Sequence, residues 1–142
     1  MKNRNERLSE IAQKFDLDII YAFGSHGKEA SSWISGEISV CSVSSQSDLD
    51  IGVRPSPGKQ LSINEKVHLA IALEDFFSVS RVDVVVIPEA DPFLAANVIR
   101  GERLYCKDEF RADEYDLYIL RRAGDLIPLE RERISLIMEK NT

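Results

Sequence analysis

Hydrophobic and polar residues follow two different periods in the first third of the chain. Residues 4–16 carry apolar side chains at helical spacing, which predicts an amphipathic helix. These apolar residues are Leu8, Ile11, Ala12 and Phe15. The segment LDIIYAF at residues 17–23 is β-branched and aromatic and precedes Gly24, so it predicts a buried strand. Residues 31–46 are rich in serine, and we predict a loop or an irregular hairpin there.

The middle of the chain contains two further strand patterns with a helix between them. SDLDIGV at residues 47–53 alternates with a period of two, which predicts a strand with one apolar face. Residues 54–60 contain two prolines and a glycine, which indicates a loop. Ser62 and Glu65 have the spacing of a capping box, so we expect a helix of about four turns after them. RVDVVVI at residues 81–87 predicts a third strand.

The last third of the chain is mainly helical. Asp91 and Pro92 are typical of the start of a helix, and Gly101 marks its end. RLYC at residues 103–106 predicts a short edge strand. Residues 112–140 have a helical pattern with two interruptions. These interruptions are expected near Gly124 and Pro128.

This order of elements predicts one domain of the α/β (α+β) class. We expect a small mixed sheet of about four strands, with helices covering one face of the sheet. A chain of 142 residues is long enough for one hydrophobic core. The domain is expected to span residues 1–142, with its core at about residues 8–122 and a helical tail at residues 123–142.

Composition restricts the class of protein further. The chain is 44% hydrophobic and 30% charged, which is typical of a soluble globular protein. No apolar run approaches the about 20 residues of a membrane helix, and the N-terminus lacks the apolar core of a signal peptide. We therefore expect a cytoplasmic protein without membrane contact. Cys41 and Cys106 do not have disulfide-framework or zinc-site spacing, and the isolated His26 and His68 do not predict a histidine metal site.

The net charge of −6 argues against broad binding of nucleic acids, DNA included, because a basic face is needed to neutralise phosphates. An excess of acid is also expected where carboxylates gather around a metal cation. Composition alone does not separate a generally acidic surface from such a concentrated site. The positions of the aspartates within the strand patterns are more informative.

Three aspartates occupy strand patterns that are otherwise apolar. Asp48 and Asp50 are two positions apart, so a strand directs both side chains to one face with Cα atoms roughly 6.5 Å apart. Asp83 lies in the most apolar pattern, where an isolated charge is costly. If a neighbouring strand brings Asp83 to the pair, the three carboxylates offer the oxygen ligands that Mg²⁺ prefers. Without a cation, charges this close repel, and one carboxylate is expected to take up a proton.

A second interpretation of the aspartates needs no metal. The pair is also typical of the solvated face of an edge strand, with Asp83 at the start of another strand. A turn of small residues after the first strand bears on this choice. Gly24, Ser25 and Gly27 in YAFGSHG expose backbone N–H groups to a phosphate, and Lys28 can add a positive charge. Considered alone, these residues also fit a plain strand-ending turn.

The three motifs together resemble those of the minimal nucleotidyltransferase family, which comprises small relatives of the DNA polymerase β superfamily. Members carry a strand ending in GS, a strand with DxD and a third strand with an aspartate, in this order. The matching residues are Gly24 and Ser25 for GS, Asp48 and Asp50 for DxD, and Asp83 for the third acid. Residues 91–122, with an I…G..LY segment before a helix, also look like the end of a family member. The resemblance covers about residues 8–122.

The resemblance implies a polymerase β-like nucleotidyltransferase fold and transfer of AMP from ATP to an acceptor hydroxyl, with two Mg²⁺ ions. It implies that Asp48 and Asp50 hold both metal ions. It implies that Asp83 binds the catalytic ion and helps to deprotonate the acceptor. The β- and γ-phosphates are then expected at the nucleotide-binding residues Gly24, Ser25 and Lys28.

Family members of this size are commonly antitoxins paired with HEPN-domain ribonuclease toxins, and some adenylylate tyrosines of the toxin. The resemblance therefore implies a HEPN-domain partner and a homo- or hetero-oligomer. An antibiotic nucleotidyltransferase is the second enzymatic interpretation, although such enzymes usually carry an additional domain. A catalytically inactive module that restrains its partner by contact is the alternative of another class, and the three retained acids favour catalysis over it.

The chain departs from the family pattern in two places. Ser25 and Asp48 are separated by 22 residues, more than is usual in the family, so residues 31–42 look like an insertion. Its apolar residues are expected to pack on the protein or its partner: Trp33, Ile34, Ile38 and Val40. In addition, GSHGKEA replaces the commoner GSxARG, with Gly27 and Lys28 in place of alanine and arginine.

The apolar residues at 115–120 exceed one narrow helical stripe. We expect part of them to face another chain, unless the sheet and the final helix bury both sides.

Overall fold

The computed structural model describes residues 2–39 and 48–140. The strands are β1 (Leu17–Phe23), β2 (Leu49–Pro55), β3 (Val82–Val86) and β4 (Glu102–Cys106). The α-helices are α1 (Arg4–Lys14), α2 (Gly27–Ser35), α3 (Ile63–Phe77), α4 (Pro92–Ile99) and α5 (Glu109–Lys140). Short 3₁₀ turns follow β1 at Gly24–His26 and β3 at Ile87–Glu89. In the parts of the chain that the structure describes, no helix combines the length and the apolar character needed to cross a membrane.

Two helices begin where the capping signals in the sequence predicted. At the start of α3, Ser62 and Glu65 form a reciprocal capping box, in which each side chain accepts a hydrogen bond from the backbone N–H of the other. At the start of α4, Asp91 accepts hydrogen bonds from the backbone N–H groups of Phe93 (2.9 Å) and Leu94 (3.0 Å). Both starts are confirmed, because these side chains satisfy donors that have no partner within the helix.

The four strands form one mixed sheet in the order β3-β2-β1-β4. β1 pairs antiparallel with β2 and with β4, whereas β2 and β3 run parallel. The predicted mixed sheet of about four strands is confirmed, and so is the edge strand that RLYC predicted. β2 continues to Pro55 and thus includes the first two residues of the segment predicted as a loop at residues 54–60.

Helices cover both faces of the sheet, so the prediction that they cover one face is wrong. On one face, α1, α2 and α3 pack against strand residues that include Ile20 and Ile51. On the other face, α4 and α5 pack against Ile19 and Tyr21. Every residue of β1 is buried. A continuous apolar run is typical of a strand that is covered on both sides, and β1 carried this signal.

Helix α2 occupies the start of the segment predicted as a loop at residues 31–46, and the prediction is wrong there. The ring of Trp33 lies against Phe76 and Phe77 of α3, with centroid distances of 5.1 and 5.4 Å. Ile34 is buried in the same core. The serines of this segment lower its helix propensity, but burial of a tryptophan outweighs such weak local preferences.

The rest of the inserted segment also contacts the protein where the structure describes it. Ile38 is partly buried against the core below α2. Arg4 of α1 donates hydrogen bonds to the backbone carbonyls of Ile38 (3.0 Å) and Ser39 (3.1 Å). The predicted packing of this segment is therefore confirmed up to Ile38. Val40 and Cys41 lie outside the described residues.

Helix α5 is continuous, so the predicted interruptions near Gly124 and Pro128 are wrong. Proline removes its own N–H donor but leaves the hydrogen bonds of the flanking turns in place. Glycine lowers helix propensity without preventing the helical conformation. Gly124 and Pro128 therefore lower the local helix propensity of α5, but the hydrogen bonds of the neighbouring turns keep the helix continuous.

The apolar residues at 115–120 divide between the core and the surface. Tyr115 and Ile119 are buried, whereas Leu117 and Tyr118 are 62% and 53% exposed. The sheet therefore buries only part of this helical surface, and the prediction that its apolar residues exceed one narrow buried stripe is confirmed.

Candidate active site

The turn after β1 fits glycine for two independent reasons. Gly24 has a φ of +75°, in the left-handed region that other residues rarely adopt. A Cβ atom at this position would lie 2.7 Å from Oδ2 of Asp50 on β2. A side chain would therefore collide with a carboxylate of the second motif. The absence of a side chain at Gly24 lets the glycine–serine turn and the DxD strand lie in direct contact.

The glycine–serine turn leads directly into α2. Ser25 lies exposed in the 3₁₀ turn, and Lys28 lies exposed in the first turn of the helix. The first N–H groups of a helix have no acceptor within it and attract anions. The residues predicted to bind phosphate thus lie at a strand-to-helix turn, which is a suitable place for such contacts.

The strand register brings the three predicted carboxylates together at one edge of the sheet. Asp50 is opposite Phe23, the last residue of β1, and opposite Asp83 in the parallel pairing of β2 with β3. Asp48 lies one residue before β2, close enough to Asp83 for that carboxyl group to raise its pKa. Asp50 and Asp83 are far apart in the sequence. They lie close together only because β2 and β3 are adjacent and parallel.

The proximity of the carboxyl groups raises two pKa values. The hydrogen bond with Asp83 raises the pKa of Asp48, and partial desolvation acts in the same direction. Burial raises the pKa of Asp50, and the negative charges of Asp83 and Asp48 add to this effect. The metal-free cluster therefore binds a proton more readily than isolated aspartates do, as the sequence analysis predicted.

Two basic side chains, Arg81 and His26, lie beside the cluster, and neither was predicted from the sequence as part of the site. The Arg81 Nε atom is 3.7 Å from Oδ2 of Asp48 and 3.4 Å from Oδ1 of Asp83. Arg81 is two positions before Asp83, which places both side chains on one strand face and was a usable signal. His26 also lies near Asp50 and, when its imidazole is protonated, opposes the rise in the pKa of Asp50 that burial and the other aspartates cause. A lone histidine without ligand spacing gave no comparable signal in the sequence.

The donor chemistry of the cluster suits Mg²⁺. Three carboxylates at the starts of adjacent strands are hard oxygen ligands, and the side chains of Asp48 and Asp83 are 36% and 44% exposed, which leaves room for water ligands. As the side chains stand, no group of three or more His, Cys, Asp or Glu residues within 2–39 and 48–140 is arranged to hold a metal ion. A looser arrangement is expected of the protein alone, because like charges separate when no cation lies between them.

Helix α4 lies close to the sheet next to the cluster. A Cβ atom at Gly52 would lie 2.2 Å from Cγ1 of Val98, so the helix packs on the backbone of β2 just after Asp50. A Cβ atom at Gly101 would lie 2.4 Å from the carbonyl oxygen of Ala22. Both glycines therefore permit close approach of backbone segments. The sequence marked Gly101 only as the end of a helix.

A partly buried polar network fixes α5 to the sheet. The Tyr21 hydroxyl donates a hydrogen bond to Asp116, and Arg103 donates to Asp116 (2.7 Å) and Asp113 (3.0 Å). Burial raises the pKa of Tyr21 far above its ordinary value, and the hydrogen bond to Asp116 adds to the shift. The sequence analysis missed this network because its partners are far apart along the chain and follow no local pattern.

The comparisons with known proteins agree with this geometry. Residues 6–110 match the family model described as Polymerase beta, Nucleotidyltransferase. No curated protein matches the chain significantly. The family that the GS and DxD motifs predicted is thus confirmed by the family model.

Solved structures with a similar fold come from toxin–antitoxin complexes. A chain of a toxin–antitoxin complex with AMP-PNP is 19% identical, with a TM-score of 0.67 over 94% of this chain and 98% of that chain. A chain of the MntA-HepT toxin–antitoxin is 17% identical, with a TM-score of 0.66 over 95% and 97%. A third, from a tri-AMPylated Shewanella oneidensis HEPN toxin in complex with an MNT antitoxin, is 18% identical, with a TM-score of 0.67 over 95% and 96%. At these identities the likeness concerns the fold, and it confirms the predicted polymerase β-like nucleotidyltransferase fold.

Proposed function

The chain belongs to the polymerase beta nucleotidyltransferase family, and from this membership we propose that it transfers AMP from ATP to a hydroxyl group of a partner protein in a Mg²⁺-dependent reaction. One observation carries the proposal. The turn at Gly24 lies against Asp50, which is opposite Asp83 and close to Asp48. The turn proposed to bind phosphate and the carboxylate cluster therefore share one edge of the sheet, which fits metal-assisted phosphoryl transfer.

Each residue of the cluster has a role in this proposal. Asp48 and Asp50 would hold two Mg²⁺ ions, with Asp83 as a further ligand of one. When bound, these ions neutralise the charge on the transferred group. The hydroxyl of Ser25 and the backbone N–H groups of its turn donate to the β- and γ-phosphates, and Lys28 adds a positive charge. The acceptor oxygen bonds to the α-phosphorus as the bond to the leaving pyrophosphate breaks, and an Asp83 carboxylate oxygen takes the proton of the acceptor hydroxyl.

We infer that the acceptor is a HEPN-domain toxin and that the chain is its antitoxin in the cytoplasm. The similar solved structures support this inference, because they come from toxin–antitoxin complexes and one of them contains a tri-AMPylated HEPN toxin. The tri-AMPylated toxin is a protein acceptor, so the comparison favours a protein acceptor over an antibiotic.

The proposal is tested by following AMP into the partner. The chain is incubated with labelled ATP, Mg²⁺ and the product of the neighbouring gene, which the inference predicts to be a HEPN-domain protein. Peptides of this partner are analysed by mass spectrometry. We expect a mass increase of one adenylyl group on a hydroxyl side chain. Asp50→Asn should lower the rate at least about 100-fold, because it removes a central metal ligand. Asp75→Asn, an exposed acid of α3 away from the site, should transfer at the wild-type rate.

The same experiment separates catalysis from contact. A stable complex without any mass change, formed equally by wild type and Asp50→Asn, would contradict AMP transfer. That result would favour an inactive module that restrains its partner by binding. Omission of Mg²⁺ or addition of EDTA should abolish transfer but leave such a complex intact, which gives a second distinction between the two functions.

A further inference from the structure

The surface where α5 crosses the end of the sheet opposite the aspartates combines tyrosines with arginines. The docking face comprises Arg54, Arg111, Tyr115, Tyr118 and Arg122. The Arg54 guanidinium lies 3.9 Å from the ring centroid of Tyr115. The Tyr115 and Tyr118 ring centroids are 6.3 Å apart, and the Arg122 guanidinium lies 5.7 Å from that of Tyr118. Arginine and tyrosine side chains thus form one continuous row across β2 and α5.

The arginines of the docking face differ from other cations of the chain in their partners. Within the described residues, Arg54, Arg111 and Arg122 form no ion pair, whereas Arg103 pairs with two carboxylates at 2.7 and 3.0 Å. The chain as a whole carries a net charge of −6. Glu114 also lies among these residues, so the three arginines leave a net positive charge there. On an otherwise acidic protein, this local positive potential attracts a negatively charged partner.

A recess of about 180 Å³ lies next to the row and is suited to an acidic side chain. Arg54 of β2, Lys107 of the loop after β4 and Arg111 of α5 line it. Asp18 and Asp108 also line it, but both already accept hydrogen bonds from the protein, Asp18 from a serine hydroxyl and Asp108 from the backbone N–H of Arg111. A carboxylate that enters this recess therefore meets three positive charges and two negative ones, and the balance of one positive charge favours it.

A wider recess of about 570 Å³ lies on the other side of the row, between α5 and the loop that follows β2. Tyr118 and Arg122 line it, and Tyr118 is 53% exposed. Protein interfaces are enriched in tyrosine and arginine, which contribute much of the binding energy. The composition and the shape of the docking face both fit a protein partner.

We propose that the docking face binds an acidic segment of the partner protein and that a carboxylate of this segment enters the smaller recess. The inference rests on the proposed function, because the partner is the acceptor of AMP. Nucleic acid fits the face less well. Tyr115 is buried to 9% exposure beneath Arg54, so its ring is not available to stack on a base.

Docking at this face leaves the carboxylate cluster open. Arg54 and Asp50 are four residues apart along β2, which corresponds to roughly 13 Å. The two ends of the strand therefore contact different parts of a bound partner, and the acceptor hydroxyl can reach Asp83 while the acidic segment is held at the far end. Binding and chemistry use separate residues, so substitutions can separate them.

The test compares two charge reversals of equal size on α5. Arg111→Glu with Arg122→Glu changes the docking face, whereas Arg121→Glu with Arg131→Glu changes exposed arginines outside it. Calorimetry measures the affinity for the predicted HEPN-domain partner at low and at physiological salt. The first pair should weaken binding at least about tenfold and reduce its salt dependence, because the attraction is electrostatic. The second pair should retain wild-type affinity. Calorimetry with Mg²⁺ and ATP on each chain alone verifies that the carboxylate site is intact.

Four results would overturn the inference. Wild-type affinity in the first pair, with AMP transfer preserved, would exclude the docking face and leave the proposed function standing. Equal weakening in both pairs would indicate a general charge effect. If the wild-type chain binds Mg²⁺ and ATP but not the HEPN protein, the inferred acceptor is contradicted. The proposed binding of that partner at the docking face is then contradicted as well. Binding of a fluorescent single-stranded RNA that the first pair abolishes would assign the face to nucleic acid instead.

Discussion

The two ends of β2 carry opposite charges in different surroundings. At the start of the strand, Asp50 lies near Asp83 and Asp48, and the pKa values of Asp50 and Asp48 are raised because burial, hydrogen bonding and like charges act together. At the far end, Arg54 packs on the ring of Tyr115 and has no acidic partner among the described residues. The aspartates at the start of β2 repel one another, and a bound cation would reduce this repulsion. Arg54 at the far end can instead attract a partner of opposite charge.

The middle of β2 separates these two ends. Ile51 and Val53 are fully buried on the opposite face of the strand and fix its position in the core. Gly52 lies under Val98 of α4, so the helix covers the strand between the aspartate and the arginine. The comparison shows how one strand of seven residues can place a candidate site for chemistry at one end and a candidate surface for recognition at the other.

The largest expected effect comes from a change in the turn that contacts the acidic end. Gly24→Ala places a methyl group 2.7 Å from Oδ2 of Asp50 and forces alanine into a φ of +75°. We expect AMP transfer to fall at least about 100-fold, because small displacements of catalytic groups have large effects on rate. Single-turnover kinetics with labelled ATP measure the loss.

Gly36→Ala is the matched control for this prediction. Gly36 has a φ of +88°, but nothing lies within 4 Å of a Cβ atom there. The alanine should cost about 1 to 2 kcal/mol of stability through its backbone conformation and should leave the transfer rate unchanged. Equal loss of activity in the two variants would show that backbone strain, rather than the contact with Asp50, is responsible.

A smaller effect is expected in the middle of the strand. Gly52→Ala would place a methyl group 2.2 Å from Cγ1 of Val98, so α4 must move away from the sheet. We expect the free energy of unfolding to fall by about 1 to 3 kcal/mol, as for other overpacked cores. Denaturant unfolding measures this change, and Val98→Ala in the same chain should restore part of it.

Gly124→Ala provides the contrasting case for Gly52→Ala. Gly124 lies within α5 with open space around it. Alanine should therefore raise the free energy of unfolding by about 0.5 to 1 kcal/mol through helix propensity. Destabilisation by both substitutions would contradict the role given to the contact between Gly52 and Val98.

The smallest effect concerns the pH dependence of stability at the acidic end. Because the folded protein raises the pKa of Asp50 above its ordinary value of 3.8, the folded state binds a proton more readily than the unfolded state. The ionised group therefore destabilises the metal-free fold above this raised pKa, and the penalty disappears as the pH falls towards 3.8. Asp50→Asn should thus be more stable than wild type near neutral pH, with a difference that vanishes in acid. Thermal unfolding in EDTA across this pH range measures the difference, and a difference that grows in acid would contradict it.

Interactions between residues close in sequence were determined by the sequence itself. Ser62 with Glu65, and Asp91 before Pro92, set the starts of two helices, because a cap involves only the first turn of the helix. The alternation around Asp50 correctly gave the buried face of β2, because successive strand residues point to opposite sides. The order of the GS and DxD motifs was sufficient to identify the family.

Tertiary structure decided which distant residues meet. The parallel pairing of β2 with β3 places Asp83 beside Asp50, and no local pattern fixes that register. Packing decided that α2 is a helix, because burial of a large side chain such as Trp33 contributes about 1.5 to 3 kcal/mol, more than serine loses in helix propensity. The stack of Arg54 on Tyr115 likewise depends on the path of α5 across the sheet, which only the burial of both faces sets.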